Sequence, residues 1–143
     1  MTPEEQHLFG AARSGRTQEL VRLLERGADP NIRDEEGDAP LHLAARGGHT
    51  ECARLLLDRG ADLSARNSRG ATPLHAAAWT GWFDCLRLLL DRGADPESRN
   101  SRGRTARDLA INWGHADCAD LLDTHTTRDC LDALWNSHAR SPS

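Results

Sequence analysis

A pattern that recurs every 33 residues constrains this chain more than any other feature of its sequence. Gly37, Gly70 and Gly103 are spaced by this interval, and so are three Gly-Ala-Asp triplets. Each period holds two apolar segments, the first reading PLHLAA or PLHAAA and the second ECARLLLDRG or DCLRLLLDRG. Self-similarity at a fixed period of roughly 20–50 residues indicates a stack of structural repeats rather than a single irregular core.

Each period also carries the local signals of two helices and a turn. Thr72 followed by Pro73 is typical of a helix N-terminus, because the threonine caps the first turn and the proline has no N–H to leave unpaired. Gly81 is placed to end that helix, since glycine tolerates the left-handed conformation found there. Gly60 ends the second helix, and NSRG at residues 67–70 is typical of a turn. The predicted unit is therefore helix, turn, helix and tight turn.

These residues resemble the ankyrin repeat, whose period and TPLH…A motif are reproduced from Thr72 onward. The resemblance covers about residues 1–125. It implies an all-α ankyrin-repeat solenoid of stacked helix-turn-helix units joined by hairpin-like turns. In that family the first helices and the hairpin tips line a concave surface, and the second helices form the convex back. The predicted units are residues 1–33, 34–66, 67–99 and 100–125.

The first and last units depart from the pattern where the middle units are regular. Glu4 and His7 stand in the register positions of glycine and proline. Arg107 and Asp123 stand at positions that hold leucine in the middle units. A polar residue in a core position is compatible with the end of a stack, so the two outer units are predicted to be caps.

A different pattern follows the fourth unit. In TTRDCLDALWN, residues 126–136, the side chains of Cys130, Leu134 and Trp135 fall on one side of a helix. This segment predicts a C-terminal capping helix that seals the stack. Residues 137–143 are predicted to form a disordered tail.

Composition and charge exclude several classes of protein. The net charge is −4, which gives no overall signal of nucleic-acid binding. No apolar run reaches the length of about 18 residues that a membrane span needs. The first ten residues lack a basic region followed by an apolar core, so we expect no signal peptide and an intracellular protein, cytoplasmic or nuclear. All 18 basic residues are arginine, which is consistent with a coding bias or with avoidance of lysine modification.

Three cysteines recur at one position of the second helix. Cys52, Cys85 and Cys118 are predicted to be buried, structural and reduced, which suits an intracellular protein. His49 and His115 precede two of them by three residues, a helical spacing that is compatible with metal ligation. The rest of a ligand set is missing, so we expect neither a metal nor a cofactor.

The histidines and a single hairpin asparagine have roles that the family resemblance implies. His42 and His75 belong to the PLH motif and are expected to join neighbouring turns by hydrogen bonds. The repeat thus accounts for these groups, offers no deep pocket, and lacks G-x-S-x-G and H-E-x-x-H motifs, so no catalytic site is expected. Asn31 matches the hairpin asparagine that asparaginyl hydroxylase modifies in some ankyrin proteins, which leaves this modification open.

The aromatic residues concentrate in one unit. Trp79 stands where the previous unit has Arg46, at an exposed position of the concave face, and Trp113 lies one position further along in the next unit. The two indoles are therefore predicted to be exposed neighbours. Trp82 and Phe83, at the turn and at the start of the second helix, are predicted to pack locally.

The hairpins differ in charge along the stack. The first, residues 34–38, is acidic, whereas the next two are rich in arginine. Arginine and tryptophan dominate binding hot spots, so the sequence predicts a binding surface at the basic end. The predicted partner-binding residues are Arg46, Arg66, Arg69, Trp79, Arg99, Arg102, Arg104, Asn112 and Trp113.

Together these features predict a monomeric, non-enzymatic protein-binding module, an adaptor, scaffold or inhibitor, whose partner is a protein segment with acidic and apolar residues. One alternative is a small ankyrin-type inhibitor of cyclin-dependent kinases, which residues 81–89 and 103–122 resemble. Those inhibitors have a distorted first helix in their second repeat, whereas residues 40–46 read as regular. Another alternative is a polyanion or nucleic-acid binder that uses the arginine-rich tips and stacks bases on the indoles. The acidic first hairpin and the negative net charge argue against it.

Overall fold

The computed structural model describes residues 2–124 and contains only helices and turns in that part of the chain. The predicted all-α fold is confirmed. An eighth helix, α8, runs from residue 116 to the end of the described part. The capping helix and the tail predicted for residues 126–143, with Cys130, lie outside it. The seven complete helices are α1 (Pro3–Ser14), α2 (Thr17–Glu25), α3 (Pro40–Gly47), α4 (Thr50–Asp58), α5 (Pro73–Thr80), α6 (Phe83–Asp91) and α7 (Ala106–Asn112).

The first helix of each unit begins at a cap that its sequence supplies. Thr72 caps α5 and Thr105 caps α7, each through a side chain that accepts a backbone N–H three residues on. In α1 the cap is Thr2, followed by Pro3. This helix therefore begins one turn earlier than His7, the residue in register with the proline of the middle units.

Glycine ends three of the four first helices, with Gly15 as the C-cap of α1. Gly48 and Gly81 are the C-caps of α3 and α5, with φ of 73° and 82°. In α7 the C-cap is Trp113 instead, and Gly114 follows it with φ of 77°. The first helix of the fourth unit, α7, is thus one residue shorter at its C-terminus than α5.

Successive units stack through the first helices. The helices α1, α3, α5 and α7 contact one another more extensively than α2, α4 and α6 do. Small residues allow this approach, since Ala44, Ala45, Ala77 and Ala78 are all completely buried. Because the first helices pack more closely than the second helices, the stack curves toward them. None of the described helices combines the length and apolarity needed to cross a membrane.

The core is a set of leucine rows that run through the stack. Leu8, Leu41 and Leu74 occupy the same position of successive first helices and are at most 2% exposed. Leu56 and Leu89 continue a parallel row through the second helices, both at 0% exposure. Full burial of such a side chain contributes about 1.5–3 kcal/mol, so these rows supply much of the stability of the stack.

The connecting turns are hairpin-like and bonded to each other. Within two of them the side-chain oxygen of Asn67 or Asn100 accepts backbone N–H groups two and four residues on. Between hairpins, Ser68 N–H donates to Glu36 O at 2.9 Å and Ser101 N–H to Arg69 O at 3.0 Å. The tips therefore form one continuous row at the edge of the concave face.

The fourth unit carries polar residues at its outer side. Arg107 and Asp123, the two residues predicted to replace core leucines, are both about half exposed and form an ion pair with each other. Ile111, on the same helix as Arg107, is 52% exposed.

Candidate functional site

A concave groove of about 640 Å³ lies on the side of the first helices, over the last two hairpins and the helices α5 and α7. Four of its lining residues are arginines, and the lining contains no Asp or Glu. Its floor consists of small and apolar side chains together with His75. The lining residues are Arg46, Asn67, Ser68, Arg69, Ala71, His75, Ala76, Trp79, Asn100, Ser101, Arg102, Arg104, Leu109, Asn112 and Trp113.

Two tryptophans form one wall of this groove. The ring centroids of Trp79 and Trp113 are 6.2 Å apart with an interplanar angle of 67°, an edge-to-face pair. The side chains are 38% and 56% exposed. His115 also contacts Trp79, because its Nε2 is 3.1 Å from the Trp79 carbonyl oxygen. The prediction that the two indoles are exposed neighbours across the stack is confirmed.

Three arginines of the groove have guanidinium groups without a hydrogen bond or an ion pair to any described residue. They are Arg69, Arg102 and Arg104. Their backbones are fixed, since each N–H donates to an asparagine side chain of its own hairpin at 2.9–3.0 Å. A backbone held by the turns therefore presents three guanidinium groups without a direct ion pair beside the tryptophan wall, and the Asp108 carboxylate is near enough for its charge to interact with that of Arg104.

Arg66 and Arg99 are placed differently from the sequence-based expectation. Arg66 donates to Arg99 O at 2.8 Å and to Ser98 Oγ at 3.0 Å. Arg99 donates to Gly103 O at 3.0 Å. With Arg33, which donates to Arg66 O, these residues form an arginine ladder that ties one hairpin to the next. Neither lines the groove. A signal was present in the sequence, because an arginine at one register position of three successive units is typical of a structural role.

Arg46 lies at the groove but is not free. Its Nη2 donates to Asp38 Oδ2 at 3.1 Å, and Asn67 Nδ2 donates to Asp38 Oδ1 at 2.8 Å. Asp38 itself is only 1% exposed. The corresponding positions of the next unit hold Ala71 and Trp79, so this buried ion pair is specific to the second unit.

The acidic character of the first hairpin is smaller than the sequence suggested. Asp38 is buried in its ion pair, and the Asp34 carboxylate accepts N–H groups of Glu36 and Asp38 at 2.9 Å within the turn. Only Glu35 and Glu36 are exposed acids of this hairpin. The correction follows from turn chemistry, since an aspartate at the start of such a turn is occupied by backbone donors.

The floor of the groove rests on two histidines. The backbone N–H of Ala39 donates to His42 Nδ1, and that of Thr72 donates to His75 Nδ1, each at 3.1 Å. Nδ1 is thus the acceptor, so Nε2 carries the proton and donates to a carbonyl of the next hairpin at 2.9 or 3.0 Å. Burial lowers the pKa of both imidazoles. Their predicted structural role is confirmed.

Trp82 takes over a hydrogen bond that histidine makes in the second and fourth units. Its indole N–H donates to Arg46 O at 2.9 Å, as His49 Nε2 contacts Arg13 O at 2.9 Å. The ring covers Gly48, where a Cβ would lie 2.5 Å from Trp82 Cδ2. The expectation of local packing is confirmed for Trp82. Phe83 is 38% exposed.

The cysteines are inert core residues. Cys52, Cys85 and Cys118 are free thiols and buried. Desolvation raises the pKa of all three, and that of Cys85 to about 12, so almost no reactive thiolate exists near neutral pH. Among residues 2–124 no three His, Cys, Asp or Glu side chains come together as metal ligands.

Asn31 also has a structural role. Its Nδ2 donates to Gly60 O at 3.1 Å, and its Oδ1 accepts the Asp62 N–H at 2.8 Å, so the side chain joins two successive units.

Helix pairs that recur every 33 residues, stacked in register and joined by bonded turns, define a helical repeat solenoid. The model of ankyrin repeats (3 copies) matches residues 8–100, and that of ankyrin repeats (many copies) matches residues 80–122. The chain belongs to the ankyrin-repeat family. A search of curated proteins gave no significant match. Ankyrin repeats are in general non-catalytic modules of protein–protein interaction.

Proposed function

We propose that this protein binds a segment of another protein in the groove formed by α5, α7 and the two basic hairpins. The observation that carries the proposal is the conjunction of three unpaired guanidinium groups with an exposed tryptophan pair, in a groove whose lining contains no acid. A stack built only for stability gains nothing from three like charges placed together, because they repel one another.

The chemistry of the groove indicates the chemistry of the segment. The guanidinium groups of Arg69, Arg102 and Arg104 suit carboxylates, which they bind with two parallel hydrogen bonds. The indoles of Trp79 and Trp113 suit a bulky apolar side chain, since tryptophan buries a large area at little cost in conformational entropy. The partner is therefore a protein segment with acidic residues beside an apolar anchor. Asn112 lies at the rim of the same groove.

The alternatives have less support. For a kinase inhibitor of the ankyrin type, a distorted first helix in the second repeat is expected, whereas α3 is a regular helix of eight residues. A polyanion could also bind the three arginines. It would gain nothing from Arg46, which is paired with Asp38, and nothing from the exposed acids Glu35 and Glu36. A salt titration separates these classes, because polyanion binding falls steeply with salt and a partly apolar interface does not.

Whether this protein acts as an adaptor, a scaffold or an inhibitor depends on the activity of the partner that it binds. Cys52, Cys85 and Cys118 are buried free thiols, as expected for a protein inside the cell. We therefore propose a monomer that acts in the cytoplasm or the nucleus.

The test is the paired substitution Trp79→Ala and Trp113→Ala. Proteins recovered with the tagged chain are quantified for the wild type and the double variant, and the affinity of any protein lost is then measured directly. Each single substitution should weaken binding by about 2 kcal/mol or more, roughly 30-fold, which is the range of a hot spot. The melting temperature should change little, because both side chains are exposed.

Phe83→Ala is the matched control, since Phe83 is as exposed as Trp79 but does not line the groove. Partner binding that survives the double tryptophan variant would refute the proposal. So would a loss of several kcal/mol of stability in Trp79→Ala, because that indole would then be part of the core.

A further inference from the structure

The groove has two chemically distinct edges. The unpaired cations Arg69, Arg102 and Arg104 lie on the hairpins, before the helices begin, whereas Trp79 and Trp113 lie where α5 and α7 end. Each edge runs along the stack, from one unit to the next. The line that joins one edge to the other runs along the helix axes instead.

The separation of the edges follows from the length of the helices. Trp79 is the seventh residue after Thr72, the N-cap of α5. At a rise of about 1.5 Å per residue this places the backbone of Trp79 roughly 10 Å from the N-cap, where the hairpin edge meets the helix. Between the edges the floor holds Ala71, Ala76, His75 and Leu109. No charged side chain interrupts the way from one edge to the other.

The extent of the groove limits what fits in it. Along the stack it spans the hairpins and first helices of two units, which lie about 8–10 Å apart in packed helices. An α-helix is about 10–12 Å wide with its side chains, so a helix that crossed the groove from one edge to the other would be wider than this spacing. A chain of three to four extended residues covers roughly 10–13 Å and matches the distance between the edges.

We infer that the bound segment is extended, crosses the groove from the hairpins to the helix ends, and carries an acidic residue three or four positions from a bulky apolar residue. The carboxylate pairs with the guanidinium groups, and the apolar side chain packs on the tryptophan pair. The residues between them pass over the alanine floor, where small or flexible side chains fit. This inference rests on the proposed function and adds the conformation and the spacing of the ligand.

A display library of random peptides of about twelve residues, selected on the full chain, tests the inference. The selected peptides should share an acidic residue three or four positions from an aromatic or large aliphatic residue. A synthetic peptide with this spacing should lose about tenfold or more in affinity when three glycines are inserted between the two, since the hydrogen bonds to the charged group are then lost. A proline between the two residues should be tolerated, because it suits an extended chain and disrupts a helix.

Variants assign each half of the motif to its edge. Selection on the Arg69→Gln, Arg102→Gln variant should lose the acidic residue and keep the apolar one, and selection on Trp79→Ala should do the reverse. Arg22→Gln, on the convex back, is the control and should leave the motif unchanged.

The outcomes separate this inference from the proposed function. A library that yields no shared motif would overturn the extended crossing segment. So would a spacing of about seven residues, which a helix needs to span 10 Å, or loss of binding when a residue between the two is replaced by proline. The proposed function would still stand if the cellular partner were lost in the double tryptophan variant.

Discussion

The convex back and the concave groove are both rich in arginine, but the two surfaces treat the charge differently. On the back, Arg92 donates to Asp58 at 2.9 Å and Arg59 lies 4.0 Å from Glu25, so that the second helices of successive units are joined by ion pairs. In the groove Arg46 is paired with Asp38, whereas Arg69, Arg102 and Arg104 form no ion pair with any described residue. The difference indicates two uses of arginine. Where a carboxylate recurs at the matching position of the next unit, the arginine stabilises the stack. Where no such carboxylate recurs, the guanidinium group is available to a ligand.

The arginine ladder is an intermediate case. Arg33, Arg66 and Arg99 lie near the groove, but their guanidinium groups bind backbone carbonyls rather than carboxylates. They hold the hairpins without neutralising their own charge. Position on the concave side is therefore not sufficient evidence of a binding role, since the partner of each side chain decides it.

The largest expected effect comes from Asp38→Ala, which would make the second unit resemble the third, where Ala71 holds this position. The variant removes the acceptor of Arg46 and Asn67 and should lower the free energy of unfolding by about 2 kcal/mol. It also adds Arg46 to the unpaired cations and should strengthen binding of an acidic segment.

Urea unfolding measures the loss of stability in Asp38→Ala. The control is Glu36→Ala, which removes an exposed acid of the same hairpin and should stay within about 0.5 kcal/mol of the wild type. Equal stability of Asp38→Ala and wild type would contradict the buried ion pair.

Acidification tests the two buried histidines of α3 and α5. The lowered pKa values of His42 and His75 mean that the unfolded chain binds protons at a pH where the folded protein does not. Stability is thus complete above about pH 6.5 and declines as the pH falls below it, by up to about 1.4 kcal/mol per pH unit for each histidine.

Unfolding free energies at about pH 7.5, 6.5 and 5.5 measure this slope. The slope should be smaller in a His42→Gln, His75→Gln variant, although that variant is less stable at neutral pH. A wild-type stability that does not change between pH 7.5 and 5.5 would argue against neutral histidines in the floor.

A smaller effect is expected when charge is reversed in the groove. The Arg69→Glu, Arg102→Glu variant should slow association with the partner by about tenfold at low salt and make the rate less sensitive to salt. Stopped-flow tryptophan fluorescence follows the reaction. Arg22→Glu, Arg26→Glu changes the net charge equally on the back and should leave the rate within about twofold. Equal slowing by both variants would mean that only net charge matters.

The smallest effect is expected on the back itself. Arg92→Gln breaks the ion pair with Asp58, but both side chains are exposed by a third or more, so stability should fall by less than about 1 kcal/mol. Partner binding should not change. A weakened complex would place part of the binding surface on the convex side.

Much of the fold follows from the sequence, because its signals are local. The caps at Thr72 and Gly81 act within one helix, and the 33-residue period places equivalent residues above one another. The adjacency of Trp79 and Trp113 follows from the same register. These predictions needed no knowledge of side-chain direction.

The rest depended on side chains that reach across the fold. Asp38 and Arg46 are eight residues apart, and only the folded turn brings their side chains together. Arg66 reaches the carbonyl of a residue 33 positions away. Exposure of a position can be predicted from the repeat, but the partner that a long flexible side chain selects cannot.

The bonds between hairpins have a further consequence for the thermodynamics of recognition. The backbones of Glu36 and Ser68, and of Arg69 and Ser101, are joined directly, and the arginine ladder adds a second connection between the same turns. The tips are thus already ordered before a ligand arrives, and little backbone entropy remains to be lost on binding. A short segment of a few residues can then be held with useful affinity, although its contact area is small.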